Sequence, residues 1–111
     1  MAISKTSLFS QSLAANAKLF KALGHPARLA ILEYLAETKV CITGDISDEL
    51  PLSRTTVNQH LKELKNIGLI QGHVDGVKVN YCLNPEKIKE LKKMAISFFN
   101  EIEVKSDYNC G

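Results

Sequence analysis

Ser53-Arg54-Thr55-Thr56-Val57-Asn58-Gln59-His60-Leu61-Lys62-Glu63-Leu64-Lys65-Asn66-Ile67-Gly68 carries the start, the stop and both faces of one helix. Ser53 suits the N-cap, where a side-chain oxygen takes a backbone N–H that a helix start leaves unpaired. Gly68 suits the stop, because glycine enters the left-handed conformation past the last turn without steric cost. Val57, Leu61, Leu64 and Ile67 recur at helical spacing and form one apolar stripe. Opposite it, at about 100° per residue, lie Thr55, Asn58, Gln59, Lys62 and Asn66, with Arg54 and Thr56 in the exposed first turn. An ordinary solvated helix carries a Glu/Lys mixture. This face carries amides, hydroxyls and cations, the side chains that reach base edges and phosphates in a major groove. A plain surface helix is the competing reading of this segment alone.

The chain around it is one domain by length, 111 residues, with 45% hydrophobic content and a formal charge of only +2. That balance excludes a polybasic coat, so nucleic-acid contact must come from local placement of charge. No apolar run approaches the roughly 18–20 residues of a membrane span, and polar residues interrupt the N-terminus where a signal peptide needs its apolar stretch. Three cysteines without framework spacing argue against a secreted disulfide scaffold. A cytoplasmic chain with free thiols is expected. Residues 1–11 and 105–111 read as flexible tails of a single domain.

Upstream, Leu13, Ala17 and Phe20 repeat at helical spacing from about Ser12, with Gly24 as the stop. Pro26 then suits the first position of a second helix, where its missing N–H costs nothing. In that helix Leu29, Leu32 and Leu35 are the expected core stripe, with Ile31 on its flank. Arg28, off the stripe, is placed to touch a phosphate, with a plain exposed charge as the other reading, and His25 reads as a polar residue at a helix start. Val40-Cys41-Ile42 suits an edge strand, and Thr43 is the expected cap of a short helix with Ile46 and Leu50 facing inward. Leu50-Pro51-Leu52-Ser53 joins that helix to the polar-faced one, which describes a helix-turn-helix.

After Gly68 the period becomes alternating. Leu69 to Val74 and Val77 to Leu83 read as two strands about an Asp75-Gly76 turn, a strong hairpin signal. A hairpin behind a recognition helix is the wing of a winged helix. Lys78 beside the turn is placed to reach a phosphate or the minor groove, with His73 and Asn80 as helpers. Asn84-Pro85 then starts a last helix running to about Glu103, with Ile88, Leu91, Phe98, Phe99 and Ile102 on its apolar face. The expected fold is mainly α with a small β-hairpin, a winged helix-turn-helix, dimeric through its first and last helices. Leu13, Phe20, Ile96, Phe98, Phe99 and Ile102 are the expected dimer contacts, and an intramolecular lid is the other use for that face. Ser53, Arg54, Thr55, Thr56, Asn58, Gln59, Lys62, Lys78 and Arg28 are the expected DNA contacts. His60 lies about 60° from Val57, so it is expected at the helix boundary, bonded to a neighbouring backbone group, with base contact as the other reading.

Leu19 to Leu32, Leu52 to Leu64, Gly68-Leu69-Ile70 and Val79 to Pro85 resemble the ArsR (arsenical-resistance repressor) family over roughly positions 12–100. The resemblance implies a homodimeric repressor that leaves a palindromic double-stranded operator when an inducer binds. The inducer sites of the family are where this chain departs. Its arsenical and cadmium or lead sensors commonly carry Cys-x-Cys-Asp-Leu before the recognition helix. Asp45-Ile46 matches the end of that motif, so its cysteines fall on Ile42 and Gly44, and Cys41 lies one residue early. Zinc and nickel sensors of the family place ligands on the last helix, yet no histidine follows His73, so a closed zinc site with its four ligands is not expected. Cys41, Cys82 and Cys110 remain. They are small hydrophobes and a tail residue on one reading. On the other they are soft ligands for an arsenical or soft metal ion, or partners in an oxidative disulfide. No cofactor is required. A winged-helix protein-interaction module and a regulator with no small-molecule inducer are the alternatives. The chain lacks a phosphate-cradling glycine loop, a Cys-x-x-Cys pair and a nucleophile triad with context, so an enzyme is not expected.

Overall fold

The computed structural model describes residues 9–38, 42–43, 50–76 and 78–103, with the backbone alone at 42, 43, 75 and 78. The element order is α1 (Gln11–Leu23), α2 (Pro26–Thr38), β1 (Ile42–Thr43), α3 (Arg54–Asn66), β2 (Ile70–Asp75), β3 (Lys78–Leu83) and α4 (Pro85–Glu101). Among the described residues, four helices accompany a small antiparallel sheet of order β1-β3-β2. Residues 44–49, where a short helix before α3 is expected, lie outside the described residues, as do Val40 and Cys41.

Three of the four described helix starts follow from a local donor–acceptor rule. Ser10 caps α1, its Oγ accepting the Leu13 N–H at 3.1 Å, so the helix starts at Gln11, one residue ahead of the Ser12 start expected from periodicity. Ser53 caps α3, its Oγ accepting the Thr56 N–H at 3.3 Å. Asn84 caps α4, with Oδ1 taking the Lys87 N–H at 3.4 Å. The end of α3 is equally well determined. The Gly68 N–H donates to the Lys65 carbonyl at 3.0 Å and the Leu69 N–H to the Leu64 carbonyl at 3.1 Å, which is the paired closure of a Schellman motif. Gly68 sits at φ 84°, the conformation that closure needs. Gly24 ends α1 at φ −78°, without left-handed backbone. The last helix ends at Glu101, with Ile102 as its C-cap, slightly short of the expected Glu103.

The core lies where α2, α3 and the sheet meet. Ile31 and Leu35 from α2, Val57, Leu61 and Leu64 from α3, and Leu69 and Ile70 entering β2 are buried together. Leu50, Leu52, Tyr81, Leu83, Ile88 and Leu91 pack around them half-buried. Full burial of each large aliphatic side chain stabilises the fold by roughly 1.5–3 kcal/mol, so this cluster fixes α3 against the rest. The expected stripe on α2 is corrected here. Ala27, Ile31 and Leu35 are its buried line, while Leu29 is 48% exposed. The helix is apolar nearly all round, so periodicity did not select a face and the packing of α3 did.

Thr43 pairs with Asn80 as Ile42 pairs with Tyr81, making β1 one edge of the sheet; the helix that Thr43 is expected to cap lies outside the described residues. A further correction concerns the hairpin turn, which lies one residue later than expected, because Asp75 pairs with Lys78 inside the ladder. Gly76, at φ 64°, is the first residue of the connection, a position where glycine supplies the positive φ that suits a tight hairpin. Along β3, alternation puts Tyr81 and Leu83 toward the core and Asn80 and Cys82 on the other face.

Candidate nucleic-acid interface

With Val57, His60, Leu61 and Leu64 buried, the opposite side of α3 is left to solvent. Arg54, Thr55, Asn58, Gln59, Lys62 and Asn66 are all exposed. At about 100° per residue, Thr55, Asn58, Gln59, Lys62 and Asn66 span only about a 100° arc, the width of a helix face that meets a groove. The polar face and the buried face arise from one sequence pattern, and the core makes the exposed one rigid.

Ser53 and Thr56 hold the first turn of that face together. The Ser53 hydroxyl donates to the Thr56 Oγ1 at 3.0 Å while accepting the Thr56 N–H. Their hydroxyls thus serve the helix start first. Backbone N–H groups and the positive end of the helix dipole at this turn favour a nearby anion.

Arg28 is redirected by the structure. It is half-buried, its Nε donates to His60 Nδ1 at 3.1 Å and its Nη1 donates to the Ala22 carbonyl at 3.1 Å. The guanidinium is spent on joining α1, α2 and α3, so Arg28 leaves the set of expected phosphate contacts. His60 is 8% exposed and its partner is a side chain rather than a backbone group. The His25 ring lies 4.2 Å from that of His60, tilted by 48°, and His25 Nδ1 accepts the Ala27 N–H at 3.0 Å. Burial, followed by the His25 and Arg28 charges, lowers the His60 pKa below its ordinary value, with Glu63 acting in the opposite sense. Sequence reading missed this network; the one available signal was the position of His60 at the edge of the apolar stripe.

The wing presents Gln71 and His73 exposed on β2, opposite Cys82 and Asn80 on β3. Lys78 opens β3, and its side chain lies outside the described residues. A second feature missed from sequence joins the wing, α3 and α4. Asn84 Nδ2 donates to the Gly68 carbonyl at 3.0 Å, and its backbone N–H donates to the Leu69 carbonyl at 2.9 Å. One residue therefore caps α4 and fastens it to the end of α3.

Away from this face, α1 and α4 meet through aromatic rings. Phe20 lies 5.9 Å from Phe98 and 6.5 Å from Phe99 between ring centroids. Leu13, Ile96, Phe99 and Ile102 are each about half exposed or more, and Phe9 beside them is 60% exposed. No residue of α4 is fully buried. Of the three cysteines, Cys82 is half-buried and disulfide-bonded, while Cys41 and Cys110 lie outside the described residues. Among the described residues no three His, Cys, Asp or Glu side chains gather as a metal site, and no helix is long and apolar enough to cross a membrane.

Residues 25–71 match the family model described as bacterial regulatory protein, arsR family. The chain is 36% identical over 78 residues to an uncharacterized HTH-type transcriptional regulator of Methanocaldococcus jannaschii, covering 70% of this chain and 88% of the relative. It is 34% identical over 103 residues to a cadmium resistance transcriptional regulatory protein CadC homolog of Staphylococcus aureus, covering 92% and 83%. In fold it is similar to an ArsR-like transcriptional regulator from Rhodococcus sp. RHA1, with a TM-score of 0.69 at 22% identity, covering 85% of this chain and 88% of that one.

Proposed function

The chain belongs to the arsR family of bacterial regulatory proteins, a family of DNA-binding transcriptional regulators rather than enzymes, and from that premise we propose that it is an operator-binding repressor released by a thiol-reactive inducer. The observation that carries the DNA reading is the exposed polar arc of α3 backed by a buried core. Arg54, Thr55, Asn58, Gln59 and Lys62 meet the major groove, Ser53 and Thr56 set the first turn against a phosphate, and Lys78 brings the wing to the backbone.

Two copies read a palindrome. The apolar surface of α1 and α4 around Leu13, Phe20, Ile96, Phe98, Phe99 and Ile102 supports pairing of a second copy there, since patches of this kind are seldom left open on a monomer. The symmetry then sets the two α3 helices about one turn of DNA apart, roughly 34 Å.

For release, the candidate inducers are an arsenical, a soft metal ion such as the cadmium in the name of the Staphylococcus aureus relative, or an oxidant. The disulfide at Cys82 supports the oxidant, because a sulfur already bonded to sulfur is not a thiolate ligand. Cys82 lies on the wing strand, where a change in its bonding acts directly on an element that meets DNA.

Fluorescence anisotropy with duplex DNA from upstream of the gene tests the reading. Specific binding in the 10⁻⁸–10⁻¹¹ M range is expected, falling by about 10³-fold or more between 50 and 200 mM salt if six or more phosphates are contacted. Release on oxidation or with arsenite, lost in Cys82→Ser, is expected for the inducer. A chain that prefers no DNA sequence is instead a protein-interaction module, and release that survives replacement of all three cysteines ends the thiol reading.

A further inference from the structure

His60 sits on the buried face of the recognition helix, among Val57, Leu61 and Leu64, and its bond to Arg28 specifies its protonation. Arg28 can only donate. The 3.1 Å contact from Arg28 Nε therefore requires a free lone pair on His60 Nδ1 and places the imidazole proton on Nε2. Arg28 is itself held from the other side by the Ala22 carbonyl at 3.1 Å, so the guanidinium cannot turn away without losing a second bond. The His25 ring lies 4.2 Å from that of His60, tilted by 48°, on the exposed side of the cluster.

We propose that Arg28 and His60, with the tilted His25 ring beside them, form a proton-operated latch on the recognition helix. With His60 neutral the latch holds α3 in the position that meets DNA; with His60 protonated it lets go. The proposal rests on the DNA-binding reading of α3. The added proton occupies Nδ1, the lone pair that Arg28 uses, so the hydrogen bond is lost and two cations face each other. At 8% exposure little water reaches the imidazole to screen them. The imidazole leaves this site by movement of its helix, and the readers Asn58, Gln59 and Lys62 on the opposite face move with it.

The charged and titratable groups acting on His60 are His25 and Arg28 from the start of α2 and Glu63 one turn further along α3. The first two oppose the added proton and Glu63 favours it, and burial opposes it most. The neutral state is thus the resting one, and acid is the signal. The sign is diagnostic. A cation gained beside phosphates strengthens DNA binding, whereas the latch weakens it.

Anisotropy titrations of the operator duplex at pH 7.5 and 5.5, at constant ionic strength, test this with the full chain. Proton linkage allows up to about tenfold per pH unit and protomer, and a loss of at least about fivefold is expected for the wild type. His60→Gln, which keeps an acceptor for Arg28 and cannot titrate, should lose less than about twofold, and His73→Gln should keep the wild-type loss. His25→Gln removes a repulsive neighbour and should shift release to higher pH, which serves as the second variant if His60→Gln does not fold. A wild type that binds as tightly at pH 5.5, or a His60→Gln protein that weakens as much, overturns the latch. Imidazole ¹⁵N spectra without DNA separate this from the underlying reading. They should show His60 protonated on Nε2 at pH 7.5, with α3 amide signals moving as His60 titrates; a proton on Nδ1, or static α3 amides, overturns the latch even if no duplex is bound. Failure of every variant to bind DNA at pH 7.5, with those spectra as expected, instead overturns the DNA reading.

Discussion

Replacing Asn84 with alanine should destabilise the protein by more than the loss of an ordinary helix cap. Two separable bonds disappear: Oδ1 no longer accepts the Lys87 N–H, and Nδ2 no longer donates to the Gly68 carbonyl. Loss of an N-cap costs about 1 kcal/mol, within a range of roughly 0.5–2, and loss of a partly buried hydrogen bond about 0.5–1.5 kcal/mol. Their sum is about 2 kcal/mol, which for a domain of this size lowers Tm by roughly 8–16 °C. The backbone bond from Asn84 to the Leu69 carbonyl remains in every variant, so the helix start is weakened rather than released. Urea denaturation followed by circular dichroism, at one fixed protein concentration because pairing adds to apparent stability, measures the change. Asn84→Ser divides it, since serine also caps but cannot reach Gly68; its cost should be about 1 kcal/mol. A serine variant as damaged as the alanine variant, or an alanine variant within about 0.5 kcal/mol of wild type, would refute the two-bond account.

Gly68→Ala should cost about 1 kcal/mol, from forcing an L-residue to φ 84°. The methyl fits in ordinary contact, its nearest neighbour being a Lys87 carbon at 3.7 Å, so Gly68→Asn, which tolerates that conformation, should be milder in the same melt. Gln59→Ala should lose roughly 1–3 kcal/mol of binding at one base position if Gln59 reads an edge; selection from a randomised operator library would instead show a uniform loss if it does not. Thermal stability should also depend on pH through His60. Its folded pKa lies below the ordinary 6.5, so its contribution is fully present above that value and is lost as pH falls from there toward the folded value. Melts of wild type and His60→Gln between pH 7.5 and 5.5 should diverge over that window, and parallel curves would contradict it.

How much was legible in the sequence differs from element to element. Ser53, Gly68 and the stripe of Val57, Leu61 and Leu64 define α3 nearly to the residue, because a cap, a left-handed glycine and a 3.6-residue period act within a few positions along the chain. Asn84-Pro85 marks α4 by the same local chemistry. Where two faces were equally apolar, locality failed. Leu29 on α2 was expected inside and is exposed. The hairpin register shifted by one residue, since pairing of Asp75 with Lys78 is settled across two strands and not within the turn.

The candidate site divides along the same line. The amino-acid order alone determined that α3 has a polar, groove-reading face opposite an apolar one, because both faces repeat within a single helix. Tertiary structure alone decided what that helix is fastened to. Arg28 and His60 are 32 residues apart, and Asn84 and Gly68 are 16 apart. No local rule pairs them. They meet only when core packing brings α2 and α4 onto α3, and that packing turned an arginine expected on phosphate into a partner for a buried histidine.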